Sequence, residues 1–240
     1  MALSFLDLLF PKRCVSCGKF GAYICKDCFA KIEFIQKPVC PVCQRQAVGG
    51  KTHPGCQGRL RLDGLVVATR YSGSVKKAIA KVKYKWAYDI AKILIDLIVV
   101  NLWKFDLASD LILVPVPLHV RRKNWRGFNQ AELLANLLSK SFGVSVSDAL
   151  IRIRQTKSQV GLKRDDRKEN VRGAFALRPS GQKKRKSFDS AQGKIISEVK
   201  GKNIILVDDV FTSGATMAEC CKVLKKEGAG EVLGMAVALG

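Results

Sequence analysis

Lys202-Asn203-Ile204-Ile205-Leu206-Val207-Asp208-Asp209-Val210-Phe211-Thr212-Ser213-Gly214-Ala215-Thr216-Met217 decides the fold. Ile204 to Val207 is a continuous apolar run without polar alternation, the pattern of a central parallel strand buried on both faces. Asp208 and Asp209 follow where such a strand would leave the sheet. Next comes the turn Thr212-Ser213-Gly214-Ala215-Thr216. Met217, Cys221 and Leu224 then recur at helical spacing, and Gly228 is the stop. Strand, acid pair, small-residue loop and helix is a layout for holding a phosphate and sugar hydroxyls. The N–H groups of such a loop and of the helix N-terminus point at an anion. The hydroxyls of Thr212, Ser213 and Thr216 add hydrogen bonds. Asp208 and Asp209 would accept from sugar hydroxyls or hold a hydrated Mg²⁺.

Working outward, Leu111 to Val116 is a second buried strand, ending in Pro115-Val116-Pro117-Leu118-His119. A basic loop follows, with Arg121, Arg122 and Arg126 placed to clamp a diphosphate bidentately. Leu134, Leu138 and Phe142 then mark a helix. Leu65 to Tyr71 and Glu231 to Leu239 read as further strands. Val75, Ala78, Ile79 and Val82, then Ile90, Ile93, Leu94, Leu97 and Ile98, mark two helices after the first of these. Strands alternating with helices predict an α/β fold with a parallel sheet and ligands at its carboxyl edge. Arg152, Arg154, Thr156, Gln159, Lys163, Arg164, Arg167 and Asn170 crowd the stretch before a strand at Ala174 to Leu177. Residues 178–200, with Lys183-Lys184-Arg185-Lys186, read as a flexible basic insertion.

The N-terminal quarter is of a different kind. Cys14-x-x-Cys17, Cys25-x-x-Cys28 and Cys40-x-x-Cys43 are three knuckles, and His53-x-x-Cys56 takes the fourth place. Eight ligands make two closed tetrahedral Zn²⁺ sites, structural because no position is left for water. The simplest pairing is Cys14, Cys17, Cys25 and Cys28 with Cys40, Cys43, His53 and Cys56. Interleaved pairing stays open, and His53 also fits a lone surface histidine. Residues 1–60 thus form an N-terminal helix and metal module, and residues 61–240 the α/β domain. The chain carries 42 basic and 20 acidic residues, a formal charge of +22, which implies polyanion partners. Lys76, Lys77, Lys81, Lys83 and Lys85 interleave with Tyr84, Trp86 and Tyr88. That composition suits single-stranded nucleic acid, and equally a solvated lysine face. Met1 to Phe10 is too short and too interrupted for a signal peptide, and Ile93 to Leu102 too short for a membrane span. The reading is cytoplasmic, without a transmembrane segment.

The acidic loop resembles the phosphoribosyl-diphosphate loop of type I phosphoribosyltransferases, where the loop holds the 5′-phosphate and the acids the ribose hydroxyls. The order of motifs is similar to the ComF family, phosphoribosyltransferase-like proteins with an N-terminal double zinc ribbon. The motifs are the knuckles, Tyr71-x-Gly73, Lys83-Tyr84-Lys85, Pro115-Val116-Pro117-Leu118-His119, Arg126-Gly127-Phe128-Asn129-Gln130, Thr156-x-x-Gln159, Arg167-x-x-Asn170-Val171 and the acidic loop. His53 stands where many members have a further cysteine. The resemblance implies phosphoribosyl diphosphate or a related sugar phosphate as ligand, with Mg²⁺. It places Pro115, Val116, His119, Gln130, Asp208, Asp209 and Thr212 to Thr216 at that ligand, with Arg121, Arg122 and Arg126 facing the diphosphate. It also implies a role with single-stranded DNA in competence, alongside DNA-uptake helicase machinery. Two functions compete: a phosphoribosyl-transferring enzyme, and a module that uses the sugar-phosphate pocket to hold a nucleotide or DNA end.

Overall fold

The structure, a computed structural model, describes residues 11–82, 87–105, 107–108, 110–156, 163–179 and 199–240. The strands are β1 (Gly64–Arg70), β2 (Leu111–Pro115), β3 (Ser145–Val146), β4 (Leu150–Arg152), β5 (Phe175–Leu177), β6 (Asn203–Phe211) and β7 (Val232–Leu239). The helices of more than one turn are α1 (Gly73–Lys81), α2 (Ala87–Val99), α3 (Val120–Arg126), α4 (Gln130–Phe142), α5 (Arg164–Val171) and α6 (Ala215–Lys226). β1, β7, β6, β2 and β3 lie side by side in one all-parallel sheet. β4 and β5 form a small antiparallel pair.

β6 is central because its apolar run serves both faces. Ile204 and Leu206 enter one core with Val114, Met217, Cys221 and Leu224. Ile205 and Val207 enter the other with Val75, Ile79, Leu94, Ile98, Leu134 and Leu138. Full burial of each such side chain is worth about 1.5–3 kcal/mol, so a one-residue slip of β6 would exchange every partner at once. The register is Leu113, Ile205 and Leu233 abreast.

The metal-binding segment closes the β1 edge. Phe34 bridges Thr69 antiparallel, the Ile35 N–H donates to the Ala68 carbonyl, and the Arg70 N–H donates to the Glu33 carbonyl. An exposed edge strand invites mispairing, and this cover prevents it. Ile32 joins one core and Ile35, Val39 and Leu62 the other, so the segment is anchored on both faces.

Three readings of the sequence change here. Asp208 and Asp209 lie inside β6, because β7 continues to pair there: Asp208 opposes Ala236 and Phe211 opposes Leu239. The basic stretch after β2 is a helix, α3, rather than a loop. Its amphipathic signal is weak, yet both ends are capped: His119 Nδ1 accepts from the Arg121 N–H, and Gly127 takes the left-handed conformation at φ 81°. Phe142, in step with Leu134 and Leu138, is 43% exposed at the end of α4. The expected helix at Met1 to Phe10, the aromatics Tyr84 and Trp86, Gln159 and nearly all of the 178–200 insertion lie outside the described residues.

Candidate functional site

A cleft of about 510 Å³ opens at the carboxyl edge of β2 and β6. One wall is the strand–loop–helix unit: Asp208, Asp209, Thr212, Gly214, Ala215, Thr216 and Met217 all line it. Gly214 starts α6 at φ 74°, and a Cβ there would stand 2.5 Å from the Phe211 ring, so only glycine fits. Ser213 is not a lining residue; its Oγ accepts from the Ala215 N–H at 3.5 Å. Asp208 Oδ1 accepts from the Asp209 N–H at 2.8 Å. Asp208 keeps some solvent contact through the cleft but is otherwise packed in protein. That burial, reinforced by the Asp209 charge, pushes its carboxyl well above the usual range. Tyr71 borders the same wall, its phenol pushed up by burial and then by Asp209.

The opposite wall is basic and gathers four elements. Arg122 and Arg126 come from α3, Gln130 from the first turn of α4, Arg152 from β4 and Arg167 from α5. The Arg-Gly-Phe-Asn-Gln run is a helix-to-helix corner. Gly127 ends α3, and Asn129 caps α4 by accepting from the Ala131 N–H while donating to the Val116 carbonyl. Arg126 donates to Gln130 Oε1 at 3.2 Å, Arg122 to the Thr156 carbonyl at 3.3 Å, and Arg152 to Thr156 Oγ1. Arg152 also stacks over Phe175 at 5.2 Å. Burial and then the neighbouring Arg122 lower its guanidinium from the usual value.

Three buried nitrogens on this wall have no partner among the described residues: Arg126 Nε, Gln130 Nε2 and Arg152 Nε. Each N–H donor buried without an acceptor costs about 1–3 kcal/mol. These nitrogens are themselves shielded from solvent, but the side chains that carry them line the cleft, and its basic lining suits a ligand rich in acceptors.

Of the residues singled out in the sequence, Val116, Arg122, Arg126, Gln130, Asp208, Asp209, Thr212, Gly214, Ala215 and Thr216 line the cleft. Pro115, His119, Arg121 and Ser213 do not. Pro115 is buried in β2, His119 caps α3, and Arg121 donates outward to Gln155 Oε1 at 3.1 Å. Arg152, Arg167 and Asn129 take places that sequence reasoning had not assigned. The alternation of Arg152, Arg154 and Thr156 beyond Leu150 was the available signal for Arg152.

The cysteines gather as two clusters, Cys14, Cys17, Cys25 and Cys28, and Cys40, Cys43, His53 and Cys56. Within each, all ligand atoms lie within 4.8 Å of one another. That settles the pairing against interleaving. Tetrahedral zinc with Zn–S of about 2.3 Å spaces its sulfurs about 3.8 Å apart, and Cys17 Sγ stands 3.6 Å from Cys25 Sγ. His53 turns Nδ1 to Cys43 Sγ at 3.3 Å and holds the Gln46 carbonyl through Nε2 at 2.8 Å. A ring with one nitrogen committed to a carbonyl has the other free to ligate, the usual arrangement of a ligand histidine. The Arg45 amide and side chain lower the Cys43 thiol to about 6. Cys14 also falls to about 6, because amides of Cys25, Cys17 and Ser16 outweigh an opposing burial. In each cluster another thiol moves the other way through burial and then its neighbouring thiols, Cys28 up to about 12 and Cys56 upward as well; residue type and spacing are what fit the donor sets to zinc.

Compared with known proteins, residues 5–57 match the double zinc ribbon domain and residues 129–239 the phosphoribosyl transferase domain. The chain is 30% identical over 240 residues to the DNA utilization protein YhgH of Escherichia coli strain K12, covering 94% of this chain and 96% of that one. The chain belongs to the ComF family. Competence protein F of Haemophilus influenzae is 26% identical over 233 residues, covering 89% of this chain and 95% of its own. Among solved structures, the glutamine phosphoribosylpyrophosphate amidotransferase of B. subtilis is 14% identical. That match has a TM-score of 0.33 over 68% of this chain and 27% of the larger one. The ComF architecture accounts for both halves of the site: a zinc-binding module on the β1 edge and a phosphoribosyltransferase-like cleft. No helix among the described residues is long and apolar enough to cross a membrane.

Proposed function

We propose that this ComF protein binds phosphoribosyl diphosphate, or a closely related sugar phosphate, with Mg²⁺ in the cleft, and works with single-stranded DNA during DNA uptake or utilisation in the cytoplasm. The observation that carries the first part is the lining of the cleft: Arg122, Arg126, Gln130 and Arg152 share it with two carboxylates and a helix N-terminus. A diphosphate supplies acceptors for the donors. A ribose supplies hydroxyl donors for Asp208 and Asp209. A 5′-phosphate suits the N–H groups that open α6. Two adjacent carboxylates also fit a hydrated Mg²⁺, which when bound would neutralise diphosphate charge.

Where the ligand reacts, the bond from the anomeric carbon to the diphosphate oxygen breaks, and diphosphate leaves with the electron pair. An acceptor's lone pair forms the new bond. Arg122, Arg126 and Arg152 would steady the charge gathering on the departing diphosphate, and the carboxylates would hold the sugar through its cationic transition state.

The DNA part rests on the excess of 42 basic over 20 acidic residues, more than a sugar-phosphate pocket uses, and on the names of the relatives. Trp125, 78% exposed on α3 and one helical turn after Arg121, offers a stacking face. Fluorescence anisotropy with single-stranded oligonucleotides at several salt concentrations tests it. Affinity should fall with a log–log slope of about −0.7 per phosphate contacted. Absence of binding at low salt rejects the DNA role and leaves a small-molecule phosphoribosyltransferase. Diphosphate release from phosphoribosyl diphosphate with a panel of bases, with and without single-stranded DNA, separates an enzyme from a binding module.

A further inference from the structure

The two Cys-x-x-Cys turns at Cys14 and Cys40 are built alike, with one exception. In the first, the Gly18 N–H donates to the Cys14 carbonyl and the Cys14 N–H to the Lys19 carbonyl. In the second, the Gln44 N–H donates to the Cys40 carbonyl and the Cys40 N–H to the Arg45 carbonyl. The residue after the second cysteine must therefore take a left-handed conformation, and Gly18 does so at φ 79°. The other turn puts Gln44 there at φ 58°, and among the described residues it is the one non-glycine with positive φ. A side chain with a Cβ pays about 1–2 kcal/mol for that conformation. Glycine would avoid the cost, so the glutamine side chain must return something.

What it reaches is the phosphate loop. Gln44 Nε2 donates to the Thr212 carbonyl at 2.7 Å, across 168 positions of sequence. Thr212 is the first residue beyond β6 and lines the cleft. Because a peptide unit is planar and trans, fixing the Thr212 C=O toward the knuckle aims the Ser213 N–H the opposite way and sets the plane from which the loop turns. Val39, just before the knuckle, lies in the same core cluster as Phe211, Ala215 and Met217, so the contact sits on a packed base.

We infer that Gln44 is a positioning residue: it holds the phosphate loop in its binding conformation and ties that loop to the second zinc cluster. Its effect on ligand affinity rests on the reading of the cleft as a sugar-phosphate site; its effect on the loop does not. Gln44→Gly is the diagnostic change, because it gives the second knuckle the residue the first already uses and removes only the side chain. Gln44→Glu keeps the size but sets a carboxylate against a carbonyl. The full zinc-loaded chain is titrated calorimetrically with phosphoribosyl diphosphate and Mg²⁺. Zinc content, melting temperature and amide hydrogen exchange over residues 212–217 are measured on the same samples without ligand.

Gln44→Gly should keep two zinc ions and an equal or higher melting temperature, exchange its loop amides faster, and bind about fivefold more weakly, the factor one net hydrogen bond carries. Gln44→Glu should bind more weakly still. Wild-type affinity and exchange in Gln44→Gly, or wild-type behaviour in Gln44→Glu, would overturn the inference. A loss of affinity that only tracks lost zinc or a lower melting temperature would do the same. If the wild-type protein itself fails to bind, the sugar-phosphate reading falls, and exchange alone decides: faster loop exchange in Gln44→Gly upholds the role of Gln44, and unchanged exchange refutes it.

Discussion

The two walls of the cleft are built in opposite ways. The acidic wall comes from one uninterrupted stretch, β6 through the start of α6. The basic wall is collected from α3, α4, β4 and α5. Their electrostatics mirror each other. Burial pushes the Asp208 carboxyl up and the Arg152 guanidinium down, and in each case it outweighs the attraction between the two. Desolvated charges of both signs lining one cleft mark a site shaped for a ligand that is polar throughout.

The harshest way to break this arrangement is to strip the acidic wall. Phosphoribosyl diphosphate with Mg²⁺ at a hundred times its dissociation constant stabilises a protein by about 2.7 kcal/mol. For a chain of this size that is a rise of about 5–11 °C in melting temperature. Asp208→Asn combined with Asp209→Asn should abolish the rise while leaving the ligand-free protein folded. An equal rise in wild type and double variant, followed by differential scanning fluorimetry, would place the ligand elsewhere.

The contrast between walls also explains what could be read from the chain. The buried strand, the turn at Thr212 to Thr216 and the stop at Gly228 are contiguous, and the period of the apolar residues on either side of the turn reports their structure directly. The basic wall gives no such signal. α5, Arg-Asp-Asp-Arg-Lys-Glu-Asn-Val, has almost no apolar face. α3 is marked by its caps instead of its periodicity. Arg121 and Arg122 look equivalent in sequence, yet one helical step of 100° sends the first outward and the second into the cleft. The knuckle spacings supplied eight ligands, but only tertiary packing pairs them. The bond from Gln44 to the Thr212 carbonyl joins segments too distant in sequence for any local pattern to show it.

Within the basic wall, single substitutions grade the contributions. Arg152→Gln should weaken phosphoribosyl diphosphate by about 10- to 100-fold, since a hydrogen bond to a charged group contributes about 1.5–3 kcal/mol. Arg121→Gln, exposed and turned toward Gln155, should stay within about twofold, as surface substitutions stay within about 0.5 kcal/mol. Calorimetric titration of both variants compares them. Similar losses at the two positions would mean that general positive charge, and no built subsite, attracts the ligand.

The smallest effect is a pH dependence that reports on both walls together. The folded-state carboxyl of Asp208 binds its proton more tightly than an ordinary carboxyl of pKa 3.8. Between that value and the raised one, the folded protein holds a proton that the unfolded chain has released. Stability from this group therefore falls as pH rises through the window, and is flat above it. Asp208→Asn removes the titration. Its melting temperature should be less pH-dependent than wild type over the window, and higher at pH 8 by about 2–4 °C for each 1 kcal/mol of penalty relieved. Arg152→Gln should act in the opposite sense: without the cation the Asp208 carboxyl rises further, and the decline extends to higher pH. Thermal melts of the three proteins across pH 4 to 9 test the coupling. Parallel profiles for wild type and Asp208→Asn would show that Asp208 titrates as an ordinary surface carboxylate and that the two walls do not feel each other.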